Sequence, residues 1–461
     1  MIVVQVDDAG KGTYRPATER SPPIPQKSSP RHEVSSTATL SNDLIRTSLE
    51  LQYFDIFWSL YLPKSVTVTS DRVTPVRREA KWAEYTSYTV PQSEVLRCAL
   101  LALSTSKVGR DRQDKYLLRR GIELYGKALS LLAKELKTPG NVKPFGVLNS
   151  CRLLALYEQL NDVGASAQNW KGHIHGLLNL VRLHPPEAFS HPGTHELFLE
   201  ARYNGVISGL SNRKASFLSF PDWTTGPWNN RTKDVIDTSM DIMVKIPGIF
   251  EEWDLISTQP QTLETLKRAQ CFKQRCEGIE NELQTWYRNL ISHFEHAHPQ
   301  AAEALVNGMD DLSKQVYIPE VLERTGLHYL YAMTIYWTAC TILHATMDLM
   351  YCEFPAVMNA ESDTLPTSSA SILKYCICIA ISAKFFLKPH LGLSTTLSIS
   401  HAGTCLVRML STHHSYYPEV DMKDVEQLRH LMGIVQNSGG FDAWKVWKFG
   451  MDELNVNKQR R

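Results

Sequence analysis

Apolar positions along this chain recur at the three-and-four spacing of a helix far more often than at the strict alternation of a strand. The stretch "SNDLIRTSLELQYFDIFWSLYLP" opens at Ser41 on a capping-type residue and closes at Pro63; Ile45, Leu49, Ile56 and Leu60 fall at helical spacing, with Tyr53 and Phe57 filling the stripe. "SEVLRCALLALSTSKV" follows, and then "KYLLRRGIELYGKALSLLAKEL", where Leu117, Ile122, Tyr125, Leu129 and Leu132 trace one predicted face. "FGVLNSCRLLALYEQL", the long "LETLKRAQCFKQRCEGIENELQTWYRNL", "SILKYCICIAISAKFFL" and "DVEQLRHLMGIVQ" continue the series. Only "SVTVTSDRV" alternates, briefly enough to be loop, and no repeat of about 33 to 47 residues is visible. The pattern predicts an all-α fold, with one large helical body over residues 41–455.

Two segments need separate treatment. Residues 10–40 are dominated by Pro, Ser and charge. Such a composition buries too little apolar surface to offset the entropy of ordering, so residues 1–40 are expected to form a disordered tail. "LHYLYAMTIYWTACTILHATM", Leu327 to Met347, lacks formal charge and is long enough to resemble a membrane span. It also carries threonines, histidines and tyrosines and has no basic flanks, which favours a helix buried inside protein and no membrane partner.

Composition narrows the function classes. Lys and Arg total 49 against 48 Asp and Glu, a net charge of +1, which supplies no global field for nucleic acid or an anionic membrane. Nine cysteines, an odd number, sit scattered in apolar stretches. They suggest core residues in a reducing, intracellular compartment rather than a disulfide framework.

Several short stretches imitate catalytic or metal-binding motifs. "MIVVQVDDAGKGTYR" imitates a strand and Gly-rich turn, but Arg15 occupies the third glycine position and a Pro-rich tail follows where a helix is needed. "HELFL" starts like a zinc-protease helix, yet Leu199 stands where the second histidine should be, four residues after His195. Asp310 and Asp311 are adjacent, so on a helix they point to different sides; a solvated turn is the better reading. His293, His296 and His298 precede Pro299, as exposed histidines at a helix end often do. Cys271 and Cys276 are poorly spaced for shared ligation on a helix, and Cys376 and Cys378 would share a face only on a strand. No catalytic residue, cofactor site or metal site emerges.

The densest cluster is "NWKGHIHGLLNLVRLH", Asn169 to His184, with a tryptophan and three histidines in sixteen residues. At about 100° per residue, Trp170, Ile174, Leu177 and Val181 form a narrow stripe. His173 flanks it, while His175 lies about 200° from His173, too far round to share a metal. Lys171, His175, Asn179 and Arg182 make the outer face. Gly172 and Gly176 leave a bare ridge that another backbone could approach closely. The predicted role is packing, with His173 hydrogen-bonded at the edge of the core.

Read onward to Trp223, the stretch presents Trp170, His173, Gly176, Arg182, Gly193, Leu197, Phe198, Arg202, Arg213, Lys214, Ser216, Phe217, Leu218, Pro221 and Trp223 in order. This succession resembles the regulatory domain of fungal binuclear-zinc-cluster transcription factors. "EVLRCALLALSTSKVGR", "YLLRRGIELYGKALSLLAKEL" and "VLNSCRLLALYEQL" resemble helices of the same family, and a looser similarity runs from about Leu44 to about Trp447. The resemblance implies a fungal transcription regulator in the nucleus, not an enzyme. It would act through other transcription proteins, as a homodimer or heterodimer, with room for a small-molecule effector. Members of that family carry six cysteines near the N-terminus that hold two zinc ions and place a helix on DNA. Here the first cysteine is Cys98, inside an apolar stretch. Direct sequence-specific DNA binding is therefore not expected. The competing reading is a helical enzyme or scaffold without a readable motif. A terpene synthase, for instance, needs an Asp-rich metal motif, and "GMDDLSK" lacks its third acid.

Overall fold

The computed structural model describes residues 42–64, 75–137, 144–161, 166–357, 369–399, 401–403, 405, 426–431 and 433. The expected tail and the "SVTVTSDRV" segment lie outside them. Every regular element among the described residues is a helix. In chain order these are α1 (Asn42–Tyr61), α2 (Pro75–Thr89), α3 (Glu94–Asp111), α4 (Lys115–Lys137), α5 (Pro144–Leu160), α6 (Ser166–Arg182), α7 (Thr194–Asn212), α8 (Pro221–Thr225), α9 (Val235–Met243), α10 (Ile246–Ser257), α11 (Leu263–Ala297), α12 (Pro299–Asp310), α13 (Ile318–Thr325), α14 (Leu327–Glu353), α15 (Ser369–Phe386) and α16 (Gly392–Ser398), with short 3-10 turns between several of them.

Local chemistry explains many of the starts. The Ser93 hydroxyl accepts from the Leu96 amide at 3.3 Å and opens α3. Asp234 caps α9 through the amides of Ile236 and Asp237, and Thr262 caps α11 through Thr265. Proline occupies the first turn of α8, α10, α12 and α13, where a missing N–H costs nothing.

Within the body that begins at Thr47, α3 packs along α4 and across α5, α5 packs along α6, and α6 packs on α7. α7 also meets α2, α5 and α10. Further along the chain α14 is the axis, touching α9, α10, α11, α13 and α15. Its 27 residues are buried nearly all round, as the sequence reading anticipated. Thr334, Thr338, Thr341 and Thr346 return their hydroxyl protons to carbonyls three or four residues back, at 2.7–2.8 Å. Trp337 donates to Gln315 at 2.7 Å, and His344 meets Glu280 at 2.9 Å. Polar side chains thus survive burial because each has a partner. Among the described residues no helix is long and apolar enough to cross a membrane.

Two predicted faces need correction. In α1 the buried side is Phe54, Phe57 and Tyr61; Leu49 is exposed, and Ile56 and Leu60 are half-buried. The aromatic rings turn this helix inward, because Phe57 and Tyr61 stack at 5.5 Å while Tyr61 and Trp58 meet Trp82 of α2 edge-on. In α4 the buried line is Leu117, Gly121, Leu124, Ala128 and Leu132. Ile122, expected in the core, is 56% exposed, and Tyr125 and Leu129 are half-buried. Gly121 is inside because the Ser106 side chain of α3 occupies the place where its Cβ would stand.

Candidate functional site

Three places concentrate side chains capable of chemistry: the histidine-rich α6, the motif segment after it, and a small cavity bordered by α5, α7 and α9. On α6, Trp170, Ile174, Leu177 and Val181 are buried, as expected. His173 is half-buried, and its Nε2 lies 2.9 Å from the Tyr125 hydroxyl of α4. That hydroxyl also donates to Glu158 of α5 at 2.5 Å, and Asn169 donates to the same carboxylate at 3.3 Å. Burial holds the His173 imidazole down at about 4 and pushes the Glu158 carboxyl up. His175 is exposed, and His184 stacks on Phe145 at 5.6 Å. The three histidines go three ways. The ridge of Gly172 and Gly176 is bare: no atom of the described structure lies within 4 Å of a Cβ placed on either, so no second backbone fills it.

The other sequence candidates also take packing or solvent positions. His195 is buried in α7, its Nδ1 3.1 Å from the Phe189 carbonyl and its ring edge-on to Trp228. His293 meets the Tyr329 hydroxyl at 2.9 Å, and His296 is exposed. Asp311 caps a short turn through Ser313, and Asp310 is exposed beside it. Cys276, Cys376 and Cys378 are core thiols, whereas Cys271 is exposed on α11 and departs from the core reading. Among the described residues no three His, Cys, Asp or Glu side chains gather into a group able to hold a metal ion.

The motif segment is a clamp. Gly193 precedes α7 with φ +84°, and a Cβ there would lie 2.3 Å from the Tyr85 ring. Leu197 and Phe198 are fully buried, and Phe198 stacks on Trp223 at 6.0 Å. Arg213 ends α7 in the left-handed conformation, φ +54°. Its guanidinium holds Asp254 of α10 through two bonds of 2.6 Å and covers the Phe250 ring at 4.1 Å. Lys214 pairs with Glu251, and the Ser216 hydroxyl accepts from the Leu218 amide. Phe217 packs edge-on against Trp223 at 4.9 Å, and the Arg182 guanidinium lies over its ring at 5.8 Å.

Arg202, 1% exposed, pairs with Asp241 of α9. Two cations lie over the Trp228 ring, Arg202 at 4.8 Å and Lys233 at 4.7 Å, and both bond Asp241. Two residues earlier on α7, Glu200 receives Arg152 of α5 at 2.7–2.8 Å, and Arg152 lies over the Trp82 ring at 5.1 Å. Sequence reading missed this charged seam. Its signal was present as an arginine in the middle of the apolar run "SCRLLALY", a residue type almost never buried without a partner.

The seam borders a cavity of about 60 Å³ lined by Arg152, Glu200, Arg202, Tyr203, Asn204 and Tyr331, among others. Two arginines face two carboxylates there, counting Asp237, so the lining is balanced in charge. At about 30 Å³ per molecule the space suits a pair of waters, well short of the roughly 300–1,000 Å³ of a drug-sized site. A second, open groove of about 430 Å³ lies between α9 and α11, where Ile242 and Trp286 stand among Asp241, Asn281 and Glu282.

A curated relative from Emericella nidulans, an uncharacterized protein, is 25% identical over 270 residues, 54% of this chain and 56% of its own length. The chain thus spans about half of that relative. No solved structure matches. The model of the fungal specific transcription factor domain matches residues 66–350, from before α2 to the last turn of α14 and more than half of the sequence. The chain therefore belongs to the fungal specific transcription factor domain family.

Proposed function

We propose that the chain is the regulatory body of a fungal transcription regulator, working in the nucleus through contacts with other transcription proteins. The observation that carries this reading is the coincidence of the family domain with a body whose motif residues are spent on internal clamping. Gly193, Arg202, Arg213 and Trp223 join helix to helix and present no reactive group. What such a body offers a partner is its outer surface. The small charge-balanced cavity favours protein contacts over a metabolite as the route of regulation. A net charge of +1 gives any contact with DNA a weak, sequence-indifferent character.

The test is deletion of the gene with transcript sequencing, beside a fluorescent fusion of the full chain at its own locus. A nuclear signal and a changed transcript set are expected. An unchanged transcript set, or a turnover measured on the purified chain, would overturn the reading.

A further inference from the structure

The body carries one helix whose outer side is built like half of a helix pair. On α4 the residues Ile122, Gly126, Leu129, Ala133 and Leu136 follow one another at intervals of four, three, four and three. At about 100° per residue they stay within roughly 40° of one line. That spacing is the seam of a coiled coil. It lies roughly 120° from the line that α4 buries against α3 and α5. Ile122 is 56% exposed, Leu136 is 50% exposed, Gly126 and Ala133 are exposed and Leu129 is half-buried. A Cβ added at Gly126 meets nothing within 4 Å among the described residues. Large and small residues alternate along the line, so knobs at Ile122, Leu129 and Leu136 are separated by sockets at Gly126 and Ala133. A flat surface has no use for sockets; a second helix fills them.

Charge selects the second helix. α4 holds Lys115, Arg119, Arg120, Lys127, Lys134 and Lys137 against Glu123 and Glu135, an excess of four positive charges in a chain whose total is +1. All six bases are exposed. Lys115 lies at one end of the apolar line, Lys137 at the other, and Arg119 flanks it. A second copy of α4 would bring like charges together. The first forty residues of the chain are no better matched, with five bases against four acids.

We infer that the outer face of α4 is the docking surface for an acidic amphipathic helix of a partner protein, seated along Ile122–Gly126–Leu129–Ala133–Leu136 with its carboxylates toward Lys115, Arg119 and Lys137. The inference rests on the regulatory reading above and supplies the chemistry of the contact.

The probe is a fluorescein-labelled peptide of 21 residues (a length on the order of three heptads), with leucine at four–three spacing and glutamate on both flanks, titrated with the full chain and followed by anisotropy. A lysine-flanked peptide of the same pattern, a random DNA duplex and anionic vesicles are run beside it. Saturable binding of the acidic peptide that weakens with salt is expected, with at least tenfold loss in Gly126→Leu, which fills the socket, and in Ile122→Glu. Both changes are on the surface, so thermal melts no lower than the parent's certify the fold; Gly126→Leu should melt slightly higher because leucine favours a helix over glycine. Failure of the acidic peptide to bind, equal binding of both peptides, binding indifferent to the two substitutions, or preferential binding of the duplex or vesicles through the same residues would each overturn the inference. Altered transcripts in the gene deletion without peptide binding would leave the regulatory role standing and remove only this surface.

Discussion

Tyr125 of α4 and His173 of α6 meet at 2.9 Å over the carboxylate of Glu158, tying two helices that otherwise make little direct contact. Burial, not the bond, keeps the imidazole neutral, holding its pKa at about 4. In the unfolded chain the same group titrates near its usual value of about 6.5. Above that value both states are neutral and pH does nothing through this residue. Below it the unfolded chain takes up a proton that the folded chain refuses, so stability falls between about 6.5 and 4, by at most about 1.4 kcal/mol per pH unit. Glu158, raised by burial, works in the opposite sense in the acidic part of that range. Urea midpoints at pH 7, 6 and 5 should decline less steeply in His173→Gln than in the parent chain. Equal slopes would mean that His173 is solvated.

Trp170→Ala is expected to cost roughly 3–5 kcal/mol, as for other buried large side chains. His175→Ala, on the outer face of the same helix, should stay within about 0.5 kcal/mol. Thermal melts of the two proteins decide the order; a stable His175→Ala protein that fails a transcription reporter would point to a functional histidine instead.

The Arg152–Glu200 pair is buried on both sides. Arg152→Met alone strands the carboxylate and should cost about 3–5 kcal/mol, whereas Arg152→Met with Glu200→Met should recover most of the loss. A double variant no more stable than the single one would show that the pair is not coupled.

Glycine substitutions separate clamp from ridge. Gly193→Ala forces a side chain into positive φ and into the Tyr85 ring, and should lower stability by about 1–3 kcal/mol. Gly172→Ala enters open space on a helix and should raise stability by up to about 1 kcal/mol. Chemical denaturation of both would expose any error in sign.

Legibility in the sequence followed the number of apolar lines on each helix. α6 has one line, so Trp170, Ile174, Leu177 and Val181 could be placed inside and His175 outside from spacing alone. α4 has two, and periodicity merged them; it put Ile122 in the core because it could not see Ser106 pressing on Gly121. The order of motif residues from Trp170 to Trp223 was readable by resemblance, but their work was not. Arg202 finds Asp241 39 residues away, and Arg152 finds Glu200 48 residues away. Pairings at that range are settled by packing and leave no local trace.

The matched domain ends at residue 350, in the last turn of α14, and α15 lies against α14 beyond that point. A truncation that follows the domain boundary would leave an apolar rod without its cover. Such a fragment would be expected to aggregate or to be cleared by chaperones and proteases. Mapping of activity by serial deletion would then report solubility under the name of function. For a body organised around a helix buried on all sides, point substitutions on outward residues are the sharper instrument.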